Sequence, residues 1–306
     1  MAGLIFRRFI QSIVLIKCVL IFVFLLVHLS GDPVRIMMPD DSTEEDIARV
    51  RHEMGLDKPL YTQYVIFFKG VVLRGDFGES FEHGESALKV VLEHLPATVE
   101  LATTAFLISI FIGLPLGCLA ALREGTVYDK SLMIAAVLGQ AVPDFWFGLM
   151  MILFFSVKLN WFPPFGYGNL DHLVMPAITA SLFHLARLAR LMRSEMIEVL
   201  RQDYVLTARS KGLTENVVLF KHALKNSAIP IVTVLGIDLA LTLGGTVITE
   251  TVFAWPGVGR LTVAAIHHRD YPIVQATVFL LASIFVIINM LVDILYTYLD
   301  PRIQHR

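Results

Sequence analysis

The sequence predicts an all-α integral membrane protein with six transmembrane helices and a helical insertion on the outer side after the first. Three observations carry that reading. The 306 residues are 56% hydrophobic and 17% charged, with mean hydropathy +0.67, whereas soluble domains carry about a quarter charged residues. Six apolar stretches, at about 9–30, 99–121, 132–157, 173–191, 229–250 and 273–299, come near the ~20 residues that a helix needs to cross a bilayer. Lys and Arg gather at the ends of these stretches on one side.

The first stretch follows Arg7 and Arg8. It is too long for a signal-peptide core, and no small-residue cleavage site follows it, so it reads as a retained first helix. Gly31-Asp32-Pro33 marks its end. Lys17, midway along, is expected to snorkel or to pair within an assembly. Residues 31–98 then form the outer insertion. Ser42-Thr43-Glu44-Glu45 is a capping box, and Ile47, Val50 and Met54 follow at helical spacing. Gly55 suits a position just past a helix end. A second amphipathic helix runs from Leu60 to Leu73, and Gly75-Asp76-Phe77-Gly78 is a turn. The insertion either caps the helices or meets a soluble partner. Residues 99–306 make up the remaining five-helix core.

Sidedness follows from the cations. Arg7 and Arg8, Arg123 and Lys130, the group Arg187 to Lys225, and Arg302 and Arg306 all fall on one side of a six-helix chain. Both termini are therefore expected in the cytoplasm. Net charge is −2, and nothing in the pattern suggests nucleic acid. Two cysteines, Cys18 and Cys118, lie in apolar runs, which argues against a disulfide framework or a thiolate metal site.

Polar groups at membrane depth cost about 2.5–3.5 kcal/mol on insertion scales, so each is a functional candidate. Asp144 follows Pro143 and is placed to accept backbone N–H groups freed by it. Asp238 is the candidate for a cavity-lining group. Gly244 and Gly245 are expected to pack at a pore-side helix contact. Asn289 and Asp293 share a face at i, i+4 and suit an interhelical hydrogen bond or the pore. Glu250, just outside the fifth span, is a candidate to meet substrate or a soluble partner. No phosphate-cradling Gly-x-x-x-x-Gly-Lys-Ser/Thr, His-Glu-x-x-His or Gly-x-Ser-x-Gly occurs. The chain is therefore expected to have no ATPase site, no catalytic residues and no metal site.

The inner loop at about 201–226 is the most informative segment. Asp203-Tyr204-Val205-Leu206-Thr207-Ala208-Arg209-Ser210-Lys211-Gly212 is charged and helical in pattern, and it has no soluble domain of its own chain to receive it. Gly212 is able to take positive φ and break the helix. Leu213-Thr214-Glu215 restarts one with Thr214 as the cap. Ala208 is small enough to let a partner approach, and Arg209 and Lys211 would fix register. Pro230 is placed in the first turn of the helix that re-enters the membrane.

Thr207-Ala208-Arg209-Ser210-Lys211-Gly212 resembles the cytoplasmic coupling loop of bacterial ABC-importer permeases, dipeptide/oligopeptide/nickel branch. The generic loop opens Glu-Ala-Ala and reaches Gly after three more residues. Here Leu206, Thr207 and Ala208 occupy those places, Gly212 is in register, and the Glu is absent. The resemblance extends along the chain through Gly55-Leu56-Asp57-Lys58-Pro59, Gly75-Asp76-Phe77-Gly78, Leu95-Pro96-Ala97-Thr98, Trp255-Pro256-Gly257-Val258-Gly259, Arg269-Asp270-Tyr271-Pro272 and Asp300-Pro301-Arg302. It implies the type I ABC-importer permease fold in a bacterial inner membrane. It also implies a second permease subunit, two ABC ATPase subunits that hold ATP and Mg, and an extracytoplasmic substrate-binding protein. Asp203, Tyr204, Thr207, Ala208, Arg209, Lys211, Gly212 and Leu213 would couple to the ATPases. Asp76, Glu250, Trp255 and Arg269 are the candidates for docking the binding protein. Peptides are the first substrate expectation, and nickel, metal chelates or glutathione the alternative. A self-contained secondary transporter or channel would need an ionisable relay and repeat symmetry; the first is thin and the second is not visible. An intramembrane enzyme has no catalytic constellation to support it.

Overall fold

A computed structural model of the protein describes residues 2–29, 34, 43–53 and 55–299. Gly31-Asp32-Pro33, Ser42, Met54 and Asp300-Pro301-Arg302, given roles above, lie outside the described residues. Among those described the chain is helical, with one isolated bridge between Glu79 and Ser86. The helices are α1 (Ala2–Leu29), α2 (Glu44–Glu53), α3 (Leu60–Arg74), α4 (Ala87–Leu122), α5 (Val127–Ala141), α6 (Asp144–Lys158), α7 (Leu170–Leu200), α8 (Asp203–Ser210), α9 (Leu224–Gly245), α10 (Val247–Val252), α11 (Val258–His267) and α12 (Tyr271–Leu299). Among the described residues five segments are long and apolar enough to cross a membrane, and α5 with α6 makes a sixth if that bent pair is counted as one span.

The pair occupies the third stretch, expected over 132–157 with Pro143 breaking its ladder. α5 and α6 meet at 103°. Val142 and Pro143 both have extended backbone, with ψ of 125° and 136°. Proline excludes the residue before it from the helical region and has no N–H to offer, so the ladder stops there. Pro143 O restarts it by accepting from Phe147 N at 3.0 Å. Two expectations shift. Thr43 is the residue that caps α2, exchanging bonds with Asp46. Pro230 lies inside α9 rather than in its first turn, because helical structure already begins upstream at Glu215.

The chain divides into two compact units. The first comprises Thr98–Trp255 and Ile288–Arg306. Here α7 is the central helix, packed by the second half of α4 and by α5, α6 and α9. Its approach to α4 depends on Gly113 and Gly117. A Cβ on Gly113 would sit 2.8 Å from Leu185 O, and one on Gly117 would strike Ala189 O and Met192. Small residues four apart let the two backbones meet. Ser109 uses the π-turn at Ser109–Gly113 to donate both to Ala105 O and across to Ser181 O.

The second unit comprises Ala2–Ala97 and Pro256–Ile287. Its core gathers Leu20 of α1, Val71 of α3, Phe77, Val90 and Val91 of α4, Leu261 of α11 and Ile273 of α12. Gly75 closes α3 at φ +66°. The following turn is tied to the end of α11, where Ser80 Oγ donates to the buried Asp270 at 2.5 Å and His268 faces Glu82 at 2.7 Å.

Candidate functional site

The loop at 201–226 folds as a hook held by its own hydrogen bonds. Gln202 has extended backbone, and its carbonyl accepts from Val205 and Leu206, starting α8. Asp203 stands exposed in the first turn, where a carboxylate complements the helix dipole. At the other end Gly212 takes φ +76°. Its N–H donates to Arg209 O at 2.9 Å, and Leu213 N–H reaches back to Ala208 O at 3.4 Å. That pair of bonds is a Schellman stop, which a left-handed glycine allows. Thr214 O then accepts from Val217 and Val218, so its backbone starts the next helical stretch without a side-chain cap bond. Arg209 grips Glu215 through two bonds, 3.0 and 3.2 Å, across the turn. Asn226 Nδ2 donates to the Tyr204 hydroxyl at 2.9 Å and ties α8 to the base of α9.

Val205, Ala208 and Val218 form a small buried core beneath this hook, with Val199 and Leu200 packed on it. Ala208, expected on the partner-facing side, is therefore turned inward: it sits one helical turn from Val205 and shares its buried face. The outward face is Asp203, Tyr204, Leu206, Thr207, Arg209 and Lys211 with Leu213, all exposed, and continues to Phe220, which is 70% exposed.

The transmembrane candidates spend their polar groups inside the chain. Asp238, read from the sequence as a cavity-lining group, is fully buried, and Arg187 NH1 donates to it at 2.7 Å. His184 Nδ1 stands 3.5 Å from the same carboxylate oxygen. Thr242 Oγ1 donates to Asp238 O and lies 3.3 Å from His184 Nε2. Asn289 and Asp293 are partly buried and already engaged within the chain. Asp144 is partly buried in the first turn of α6, and its carboxylate makes no hydrogen bond among the described residues, so the expected capture of freed N–H groups is not seen. A Cβ on either Gly244 or Gly245 would meet open space. Their expected helix contact is thus not made inside this chain.

The family model for the binding-protein-dependent transport system inner membrane component matches residues 113–305, and the model for the N-terminal part of such membrane components matches residues 1–102. This chain belongs to that family. The permease is 41% identical over 98% of its length, and 99% of the relative's, to a probable peptide ABC transporter permease of Sinorhizobium fredii. It is 40% identical to the di/tripeptide permease DppB of Pseudomonas aeruginosa over 94% of both chains, and 36% identical to the oligopeptide permease AppB of Bacillus subtilis over the full length of both. Among solved structures it resembles a chain of the MetNI methionine ABC transporter in an inward-facing form. There the TM-score is 0.59 at 17% identity, covering 69% of this permease and 97% of that chain. The fold is that of type I ABC-importer permeases.

Two of the four docking candidates are not on the surface. Glu250 is fully buried, and its Oε1 accepts from Thr98 at 2.8 Å and Thr246 at 3.0 Å. Trp255 is 1% exposed and meets Tyr167 edge-on at 4.8 Å. Gly166 N–H donates to Phe253 O, and Tyr167 donates to Glu100, which lifts the Tyr167 phenol above its ordinary pKa. Glu250 and Trp255 therefore anchor the 165–168 loop and the end of α10. Asp76 and Arg269 are exposed; Asp76 accepts from Gly78 N–H, and Arg269 has φ +56°.

Two features escaped the sequence reading. The buried Asp129 is gripped by Arg193 through two bonds, 2.5 and 2.7 Å, and accepts from Gly125 N–H, fixing the turn before α5 to α7. Nothing local announces a pair 64 residues apart. Gly113 and Gly117, by contrast, carry a visible small-x-x-x-small spacing in an apolar run.

Proposed function

We propose that this permease is one half of the pore of an ATP-driven importer of di- and oligopeptides. A second permease would complete the pore, two ABC ATPases would sit on the cytoplasmic side, and a substrate-binding protein would deliver the peptide outside. The observation that carries the reading is the hook at 203–226, braced from within by Val205, Ala208 and Val218 while Leu206, Leu213 and Phe220 stand in solvent. Exposed apolar groups rimmed by charge mark a protein contact, and a braced hook transmits displacement instead of absorbing it. The cation pattern supports a cytoplasmic position for this face and for both termini. The chain has no phosphate loop, so hydrolysis belongs to the partner subunits, with ATP and Mg bound there.

Gly244 and Gly245 offer a flat strip for the second permease to pack against. ATP-driven closure of the ATPases would move the hook, and the core helices would exchange inward- and outward-facing states. Each ligand biases that exchange only through contacts that differ between the two. Peptide is preferred to nickel because the relatives that match across the whole chain are named for peptides.

The test is purification of the tagged permease in mild detergent followed by reconstitution. A second permease, ATPase chains and ATP-dependent uptake of a labelled dipeptide, unaffected by excess nickel, are the expected outcome. An intact preparation holding only this chain, with no ATPase activity, would overturn the reading.

A further inference from the structure

The second unit holds α1 to α12 by a narrow seam. Gln275 Nε2 donates to Val23 O at 3.2 Å, and Val27 and Tyr271 stand beside it. Open space lies on both sides. One cleft, about 690 Å³, is lined by Phe24, Phe67 and Phe77 with His28, Gln63 and Glu79 at its polar part; the other, about 460 Å³, by Leu26, Ala265, Ile266, Val274 and Val278. Val27, Tyr271 and Gln275 line both. Each has the size of a small-molecule site, roughly 300–1,000 Å³.

Their depth is informative. α1 crosses as Phe6–His28 and α12 as Tyr271–Ile294, so the seam lies where one span ends and the other begins. That is the level of lipid headgroups, where aromatic and cationic side chains anchor. Arg269 lines the smaller cleft and is exposed; its backbone bonds Ile266 O and Tyr271 N–H, while its guanidinium makes no hydrogen bond or ion pair among the described residues. The two acids of the same corner are already engaged: Ser80 donates to Asp270, and His268 faces Glu82. An unengaged guanidinium at the rim of an apolar cleft matches a phosphate at the head of a hydrocarbon chain in charge and in layout.

We propose that the paired clefts bind one anionic phospholipid, an acyl chain on each side of the Val27–Gln275 seam and its phosphate on Arg269. The lipid would complete the thinly packed flank of α1, whose most apolar stretch is only 17% buried within the chain. The inference needs only a membrane-spanning chain and stands apart from the peptide reading.

The test is native mass spectrometry of the permease, with the subunits it carries, released from nanodiscs of equal phosphatidylglycerol and phosphatidylcholine. Wild type is expected to retain one phosphatidylglycerol in clear preference to phosphatidylcholine. Arg269→Gln should lower that retention at least fivefold, and Arg269→Lys should keep most of it, since either cation binds phosphate. Val278→Trp, on α12, should exclude the lipid by filling the smaller cleft while Arg269 stays in place. Equal retention of the two lipids by wild type, or retention unchanged in Arg269→Gln, would overturn the proposal. Subunit co-purification in the same spectra shows that each variant is assembled, so a folding failure is not read as lost binding.

Discussion

On the inner loop Lys211 and Tyr204 stand in solvent and Arg209 holds Glu215 at the surface; between α7 and α9 Arg187 and the buried Asp238 are closed on each other. The two regions belong to the same unit. In the interior, a charge without a partner costs several kcal/mol, and the buried Asp238, Asp129 and Glu250 are each matched inside the chain. On the loop, water satisfies the charges, and what is left unmet is apolar: Leu206, Leu213 and Phe220. The difference separates residues that hold this permease together from residues held ready for another chain. Gly117, pressed against α7, and Gly244, facing open space, repeat the same contrast in small residues.

The largest expected effect lies in the interior. Asp238→Leu strands Arg187, which is one-third exposed, and should cost about 3 kcal/mol, toward the lower end for a broken buried pair. Thermal unfolding of the purified complex should report it, and Arg187→Met with Asp238→Leu should recover most of the loss. A single variant as stable as wild type would mean that the pair is not structural.

The glycine contrast comes next. Gly117→Leu should cost roughly 1–3 kcal/mol by overpacking against Ala189 and Met192, lowering the yield of monodisperse protein. Gly244→Leu should leave yield unchanged and reduce co-purification of the second permease. Equal behaviour of the two would erase the distinction drawn between them.

Gly212→Val should cost about 1–2 kcal/mol at the left-handed position. Peptide uptake is expected to fall at least tenfold while insertion and ATPase activity persist, and Gly212→Asn, which tolerates that backbone, should keep most uptake. Wild-type uptake by the valine variant would sink the lever model. The smallest stability effect is reserved for Arg209→Ala: the exposed clamp on Glu215 is worth about 0.2–1 kcal/mol, so thermal unfolding of the purified complex should barely shift, and a loss well above that would mean that the clamp braces the hook.

Much of this was legible in the sequence, for identifiable reasons. Hydropathy located five of the spans, because a bilayer demands long apolar runs whatever they pack against. Gly212 was legible because a helix followed at once by another needs a residue of positive φ between them. Pro143 announced a break, but the 103° angle belongs to the packing around it. Ala208 was misassigned because its small size was weighed ahead of its register with Val205. Asp238 was read as lining a cavity because Arg187 lies 51 residues away on another helix, and nothing local pairs them. Glu250 and Trp255 were placed on the surface because the chain near them looks like a loop; only the positions of Thr98 and Tyr167 reveal them as buried anchors.

The most direct measurement is site-directed crosslinking across the hook. With Cys18 and Cys118 replaced by alanine, single cysteines would be placed at Leu206 and at Ala208, two residues apart on opposite faces of α8. Each would be reacted, in the assembled complex, with cysteines introduced on the co-purifying ATPase. The account predicts efficient crosslinking from position 206 and little from position 208. Crosslinking from 208 at least as efficient as from 206, in a preparation that retains uptake, would contradict it.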